Sequence, residues 1–138
     1  MTEQPNTVDR DGRIPLHYAA LENDMEAVHA ELAARANVNA TDRHGFTPLH
    51  AACQQGALQA AAALLDAGAQ VDPVNTFGNT PLMVATLSAQ GDATLMRLLL
   101  EHGADPHHQN NYGNSPVGVT RDMANTSKAD VFADLAPE

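Results

Sequence analysis

The polar and apolar positions of the chain alternate in a pattern that predicts short helices separated by turns. In the segments 59–66 and 93–101, apolar residues recur at helical spacing, which predicts helices with one buried face. A shorter helix is predicted over 49–55. Helices of this length are not stable alone in water, so the pattern predicts an all-α fold in which helix pairs stack on their neighbours. The apolar positions of the longer segments are Ala61, Leu64, Leu65, Met96, Leu99 and Leu100.

The same pattern returns at a nearly constant interval. Four prolines are spaced by 33, 33 and 35 residues, and four glycines show the same three spacings. These residues are Pro15, Pro48, Pro81 and Pro116, and Gly12, Gly45, Gly78 and Gly113. The interval predicts a single domain over residues 1–138 with four units at approximately 9–41, 42–74, 75–109 and 110–135. The alternative is three units followed by a disordered tail.

Each unit carries signals for the start and the end of its helices. A hydroxyl residue before the proline predicts an N-cap followed by proline in the first turn, and these caps are Thr47, Thr80 and Ser115. Glycines predict left-handed backbone between the two helices (Gly56, Gly91) and after the second helix (Gly68, Gly103).

The first and last units depart from this pattern. Asn23 takes the place of a left-handed glycine, which asparagine tolerates, whereas Arg35 in the place of Gly68 argues against a standard helix ending there. A last short helix is predicted over 129–135, with Val131, Phe132 and Leu135 turned inward. Residues 1–7 and 136–138 are expected to be mobile.

The segment Thr47-Pro48-Leu49-His50-Ala51-Ala52 resembles the core motif of the ankyrin repeat, whose period is also 33 residues. The first and third units match it with one change each, Ile14 for threonine and Met83 for histidine. The resemblance implies an ankyrin-repeat solenoid of about four stacked helix-turn-helix units with projecting β-turn fingers. It also implies a protein that binds other proteins and has no catalytic activity.

Charge and composition narrow the classes of partner. The chain has 17 acidic and 7 basic side chains and a net charge of −10, which argues against nucleic acid as the partner. The sequence shows no apolar run long enough to span a bilayer and no signal peptide. We therefore expect a cytoplasmic, acidic protein that acts as a monomer, needs no cofactor and does not bind membranes.

The resemblance places the partner-binding residues on the finger tips and on the exposed side of the first helix of each unit, which together line a concave face. Three of the five aromatic residues, Phe46, Phe77 and Tyr112, fall on the fingers, where they either bind a partner or pack between fingers. The predicted partner-binding residues are Arg10, Arg13, Arg43, His44, Phe46, Gln54, Gln55, Phe77, Asn79, Leu87, Tyr112 and Asn114.

Other functions have weaker support in the sequence. The chain shows no catalytic constellation, and the single cysteine, Cys53, occupies an alanine position, which predicts a small buried residue. His17 and His50 are expected to hydrogen-bond turn backbone and the hydroxyl of the neighbouring cap residue. Metal binding through His102, His107 and His108 is one alternative function. A stand-alone inhibitor, or an immunity-type protein that neutralises a cognate toxin or enzyme, is another.

Overall fold

A computed structural model describes residues 8–121, 123 and 127–133, and within these residues the protein contains eight α-helices and no β-strand. The helices form four consecutive pairs, which confirms the predicted all-α class. Their bounds are α1 Pro15–Leu21, α2 Met25–Ala33, α3 Pro48–Gln54, α4 Leu58–Asp66, α5 Pro81–Leu87, α6 Ala93–Glu101, α7 Pro116–Arg121 and α8 Ser127–Val131.

The helix pairs stack in order. Each first helix contacts the first helix of the next pair (α1 with α3, α3 with α5, α5 with α7), and the second helices contact in the same order. This arrangement is the predicted solenoid, and its core runs along the stack between the two helix layers. Because neither helix of a pair could bury its apolar face alone, each pair depends on its neighbours for stability. Fully buried side chains along the core include Leu16, Leu49, Leu64, Leu82, Leu95 and Leu99.

The first helix of each later pair starts as the sequence predicts. The hydroxyl oxygens of Thr47 and Thr80 each accept a hydrogen bond from the backbone N–H three residues later, at 3.2 Å in both cases. Ser115 makes the same bond at 3.0 Å. These bonds satisfy N–H groups that the helix itself leaves without partners, and the proline that follows each cap has no N–H to satisfy.

Left-handed residues end most of the helices. The predicted left-handed conformations at Gly56, Gly68 and Gly103 are confirmed, and Asn23 has φ of 52°. Arg35 has φ of 65°. The left-handed helix ending therefore forms here, although the sequence did not predict it at an arginine. Local hydrogen bonding closes that helix end in spite of the steric cost of an arginine in this region.

Gly91 differs from its prediction, because it is not left-handed. Helix α5 stops at Leu87, and Ser88 continues in extended backbone and donates its hydroxyl to the carbonyl of Gln54 at 2.6 Å. A Cβ on Gly91 would lie 2.0 Å from the carbonyl oxygen of Ala85. Glycine is therefore needed here for a close approach of two backbone segments, because the longer loop folds back on its own helix.

The last helix also differs in its bounds. The sequence predicts a helix over 129–135, whereas α8 begins at Ser127 and ends at Val131. Phe132 is buried and Val131 is half-buried against the core, as predicted, while Leu135 and the termini 1–7 and 136–138 lie outside the described residues. The Lys128 ammonium donates to two carbonyls at the end of α5, those of Thr86 (2.9 Å) and Ser88 (2.7 Å).

Candidate functional site

Four finger turns of similar geometry precede the first helices, at residues 9–13, 42–46, 75–79 and 110–114. In each finger, the first side chain accepts hydrogen bonds from the backbone N–H groups two and four residues later, at 2.8 to 3.1 Å. The fourth residue is a left-handed glycine, which is the conformation that this turn requires. The accepting side chains are Asp9, Asp42, Asn75 and Asn110.

Backbone hydrogen bonds join each finger to the next. In every case an N–H near the tip of one finger donates to a carbonyl at the tip of the preceding finger. The fingers therefore form a continuous row with a fixed register. The three bonds run from Arg43 N to Asp11 O (2.7 Å), from Thr76 N to His44 O (2.9 Å) and from Asn111 N to Phe77 O (3.0 Å).

Two buried histidines connect the fingers to the helices by hydrogen bonds. In both His17 and His50, Nδ1 accepts from the backbone N–H three residues earlier at 3.1 Å. The Nε2–H of each ring then donates to a carbonyl of the next finger, that of Phe46 or Asn79, at 2.9 Å. Burial lowers the pKa of both rings, that of His50 to about 4, so both are neutral at physiological pH. The predicted bonds to turn backbone are confirmed for both rings, whereas the predicted contact with a cap hydroxyl forms only at His50, 3.0 Å from Thr47 Oγ1, because the cap before His17 is Ile14.

A groove of about 350 Å³ opens between the second and third fingers and the helices behind them. We call it the central groove. Phe77 and Leu87 are 46% and 53% exposed, so two large apolar side chains of its wall face solvent. Phe46 is half-buried and packs on the ring of His50, with the ring centroids 5.5 Å apart. The lining residues are Phe46, Gln54, Asn75, Phe77, Asn79, Val84, Leu87 and Ser88.

The groove brings together part of the predicted partner-binding set. Five of its members line the central groove: Phe46, Gln54, Phe77, Asn79 and Leu87. The other seven lie outside it: Arg10, Arg13, Arg43, His44, Gln55, Tyr112 and Asn114. All twelve lie on the fingers or at the C-terminal ends of α3 and α5, and we call this set the finger face. Sequence reasoning missed Asn75 and Val84, because a turn residue and a buried helix position gave no sign of a groove.

Two arginines of the finger face also have structural contacts. The Arg13 guanidinium lies 3.3 Å from the buried carboxylate of Asp42 on the next finger and 5.6 Å from the ring centre of Tyr18. Arg43 donates to the carbonyl of Arg10 at 2.7 Å. Both side chains therefore help to hold adjacent fingers together. Tyr112, in contrast, is 73% exposed, the highest value among the large apolar and aromatic side chains of the described residues.

The geometry of the described residues does not favour metal binding or a reactive cysteine. In the part of the chain that the structure describes, no three His, Cys, Asp or Glu side chains form a group that could hold a metal ion. The ring of His102, directly after α6, hydrogen-bonds the carbonyl of Leu98, and the ring of His108 hydrogen-bonds the carbonyl of Gly78. Cys53 is fully buried, and burial raises the pKa of its thiol, so it is the small core residue that was predicted.

Comparison with protein families identifies the repeat. A family model for ankyrin repeats in three copies matches residues 2–75, and a model for a single ankyrin repeat matches residues 77–111. A comparison with curated proteins finds no match. Among the described residues, no helix has the length and hydropathy that crossing a membrane requires.

Proposed function

Because the chain belongs to the ankyrin-repeat family, whose members generally bind other proteins and are typically not enzymes, we propose that it binds a partner protein through the finger face and catalyses no reaction. The observation that carries the proposal is the exposure of Phe77, Leu87 and Tyr112 on the same face. Exposed aromatic and apolar side chains on a rigid surface are typical of binding hot spots.

Two exposed arginines also favour the finger face as the binding surface. Arg10 and Arg43 are exposed at the tips of the first two fingers, beside the apolar part of the finger face. Arginine is enriched with aromatic residues at protein interfaces, where its guanidinium can pair with carboxylates or stack on rings. A hydrophobic centre with arginines at one end fits a partner that has an apolar centre and acidic or carbonyl groups at the matching end.

The test begins with affinity capture from the native source and identification of the captured protein by mass spectrometry. The candidate partner is then purified, and its affinity is measured by calorimetry against the wild type and the Phe77→Ala and Tyr112→Ala variants. We expect at least one variant to bind about tenfold more weakly, which corresponds to about 1.4 kcal/mol. Circular dichroism shows whether each variant keeps its fold.

Matched controls lie outside the finger face. Val74→Ala removes an exposed apolar side chain from the loop before the third finger, and Arg97→Ala removes an exposed arginine from α6. Both should bind as the wild type does. Unchanged affinity for Phe77→Ala, Tyr112→Ala and Phe46→Ala in folded protein would reject the finger face as the binding site.

We also propose a monomer that works in the cytoplasm and whose partner is neither nucleic acid nor membrane. The net charge of −10 supports the exclusion of nucleic acid, since phosphates would be repelled. Light scattering across a range of protein concentrations tests the monomer. Fractionation of cells tests the compartment. Gel-shift assays with random DNA and RNA test the exclusion, and a shift at physiological salt would overturn it.

A stand-alone inhibitor or immunity-type protein is a special case of the same proposal, in which the captured partner is a toxin or an enzyme. Co-expression distinguishes this case. If the captured partner is toxic alone, then the wild-type chain should restore growth and the Phe77→Ala and Tyr112→Ala variants should restore it less well. A harmless partner with no measurable activity would reject the inhibitor role.

A further inference from the structure

The central groove differs in its charge from two other grooves among the residues that the structure describes. A groove of about 340 Å³ at the first end of the stack includes Asp9, Glu22 and Glu31 in its lining, and one of about 400 Å³ between α4 and α6 includes Arg97 and Glu101. The lining of the central groove holds no ionisable side chain. In a chain with 24 charged side chains, 17 acidic and 7 basic, this absence makes the groove an uncharged patch on a charged surface.

The repeat shows how the uncharged patch arises. Between the first and second fingers, Arg13 pairs with the buried carboxylate of Asp42 at 3.3 Å. One repeat later, 33 residues on, the same two positions hold Phe46 and Asn75. An ion pair is therefore replaced by a phenyl ring and an amide, and the step between the second and third fingers becomes an apolar opening.

Asn75, which lines the groove, has a hydrogen-bond donor that no described residue uses. Its side-chain oxygen accepts from the N–H groups of Phe77 (2.9 Å) and Asn79 (3.0 Å), as in the other fingers. Its Nδ2 is buried and has no hydrogen-bond partner among the residues that the structure describes. Asn110, one repeat further, donates its own Nδ2 to the side chain of Asn79 at 2.8 Å. The Nδ2 donor of Asn75 thus has no partner within the described part of the chain, and a buried donor without a partner destabilises the free protein.

We propose that the central groove receives an uncharged, apolar side chain of the partner protein, and that a backbone carbonyl beside this side chain accepts a hydrogen bond from Asn75 Nδ2. The proposal rests on the proposed function and names the chemistry of the occupant. A charged side chain would lose its water in this groove and find no counter-ion there. Because Nδ2 is buried in the free protein, this hydrogen bond requires a side-chain rearrangement, and such rearrangements are common at interfaces on binding.

Three capped amino acids of similar size serve as probes: N-acetyl-leucine methylamide, N-acetyl-lysine methylamide and N-acetyl-glutamate methylamide. Each is titrated into isotope-labelled protein, and NMR follows the methyl groups of Leu87 and Val84 and the side-chain amide of Asn75. We expect the leucine probe to shift all three signals in a saturable way, and the two charged probes to shift them at least fivefold less at equal concentration. Equal shifts with the three probes, or no shift with leucine, would overturn the proposal.

Two variants test the two parts of the proposal. Leu87→Glu places a charge on an exposed wall residue and should weaken the leucine probe about tenfold. Asn75→Asp keeps the oxygen that organises the finger, as Asp42 does in the second finger, but it exchanges the donor for a charged acceptor, and it should weaken the probe at least threefold. Arg97→Ala lies on α6, outside both the central groove and the finger face, and should leave the affinity for the probe unchanged.

The purified partner separates this proposal from the proposed function. If Tyr112→Ala weakens the partner and Leu87→Glu does not, then the finger face binds the partner but the central groove does not, and only the present proposal fails. If none of the finger-face variants changes the affinity, both proposals fail. Loss of partner binding in Leu87→Glu and in Asn75→Asp, with both proteins folded, supports both.

Discussion

The neutral state of His50 makes the stability of the stack depend on pH. Its two ring nitrogens are already engaged, since Nδ1 accepts from the N–H of Thr47 and Nε2–H donates to the carbonyl of Asn79. Burial lowers the pKa of His50 from 6.5 to about 4, and the bond to Asn79 and the carboxylate of Asp42 offset only part of this effect. Burial also lowers the pKa of His17, which has the same arrangement.

The sign and size of the effect follow from the two pKa values of His50. Between them the unfolded chain binds more protons than the folded protein, so the free energy of unfolding falls as the pH falls. For His50 alone, a pKa of about 4 against 6.5 predicts a loss of about 2 kcal/mol between about pH 7.5 and about pH 5. The loss approaches about 3 kcal/mol below about pH 4, and His17 adds a loss of the same sign.

Urea unfolding followed by circular dichroism, at about pH 7.5 and about pH 5, measures this difference. The test variant is His50→Met, because Met83 fills the equivalent buried position of the third pair. The variant loses hydrogen bonds and should be less stable than the wild type at the higher pH. Between the two pH values, however, its free energy of unfolding should fall by about 2 kcal/mol less than that of the wild type. His29→Gln, on the exposed side of α2, is the control. A wild-type pH dependence in His50→Met would refute the reasoning.

Three further predictions concern the scaffold. Arg35→Gly should raise the free energy of unfolding by about 1 kcal/mol, because φ at this residue is 65°; no gain in urea unfolding would show that the position is not strained. Leu65→Ala should cost about 2–5 kcal/mol, and Leu100→Ala clearly less because Leu100 is only half-buried; equal costs would contradict the burial of these side chains. The thiol of Cys53 should react with Ellman's reagent only as fast as the protein unfolds, and rapid labelling of folded protein would contradict its burial.

Much of the fold could be predicted from the sequence, because its determinants are local and recur. The N-caps Thr47 and Thr80 lie at the predicted positions, and a helix was predicted over the residues of α6. Arg35 shows the limit of local rules, since the hydrogen bonds at the helix end hold its backbone where the side chain alone would disfavour it. Gly91 shows a second limit of local rules, because the need for glycine at this position comes from the carbonyl of Ala85 in the preceding helix.

The candidate site could be predicted only in part, because a groove depends on what two neighbouring units place side by side. Exposure of Phe77 and Leu87 follows from their positions in one unit. The packing of Phe46 on His50, and the unpaired donor of Asn75, depend on residues that differ between successive units. The sequence shows which positions of neighbouring units correspond, but it does not show how much space remains between their side chains.

The row of fingers has a consequence for how this protein can change over generations. One hydrogen bond between each pair of adjacent fingers runs from main chain to main chain, so these three bonds do not depend on which side chains occupy the tips. Mutational drift at residues such as Thr76, His44 or Tyr112 can therefore change the chemistry of the tips while their spacing is preserved. With the binding role proposed above, a few exchanges at the tips would re-target the protein to a new ligand without any need to rebuild the helices beneath.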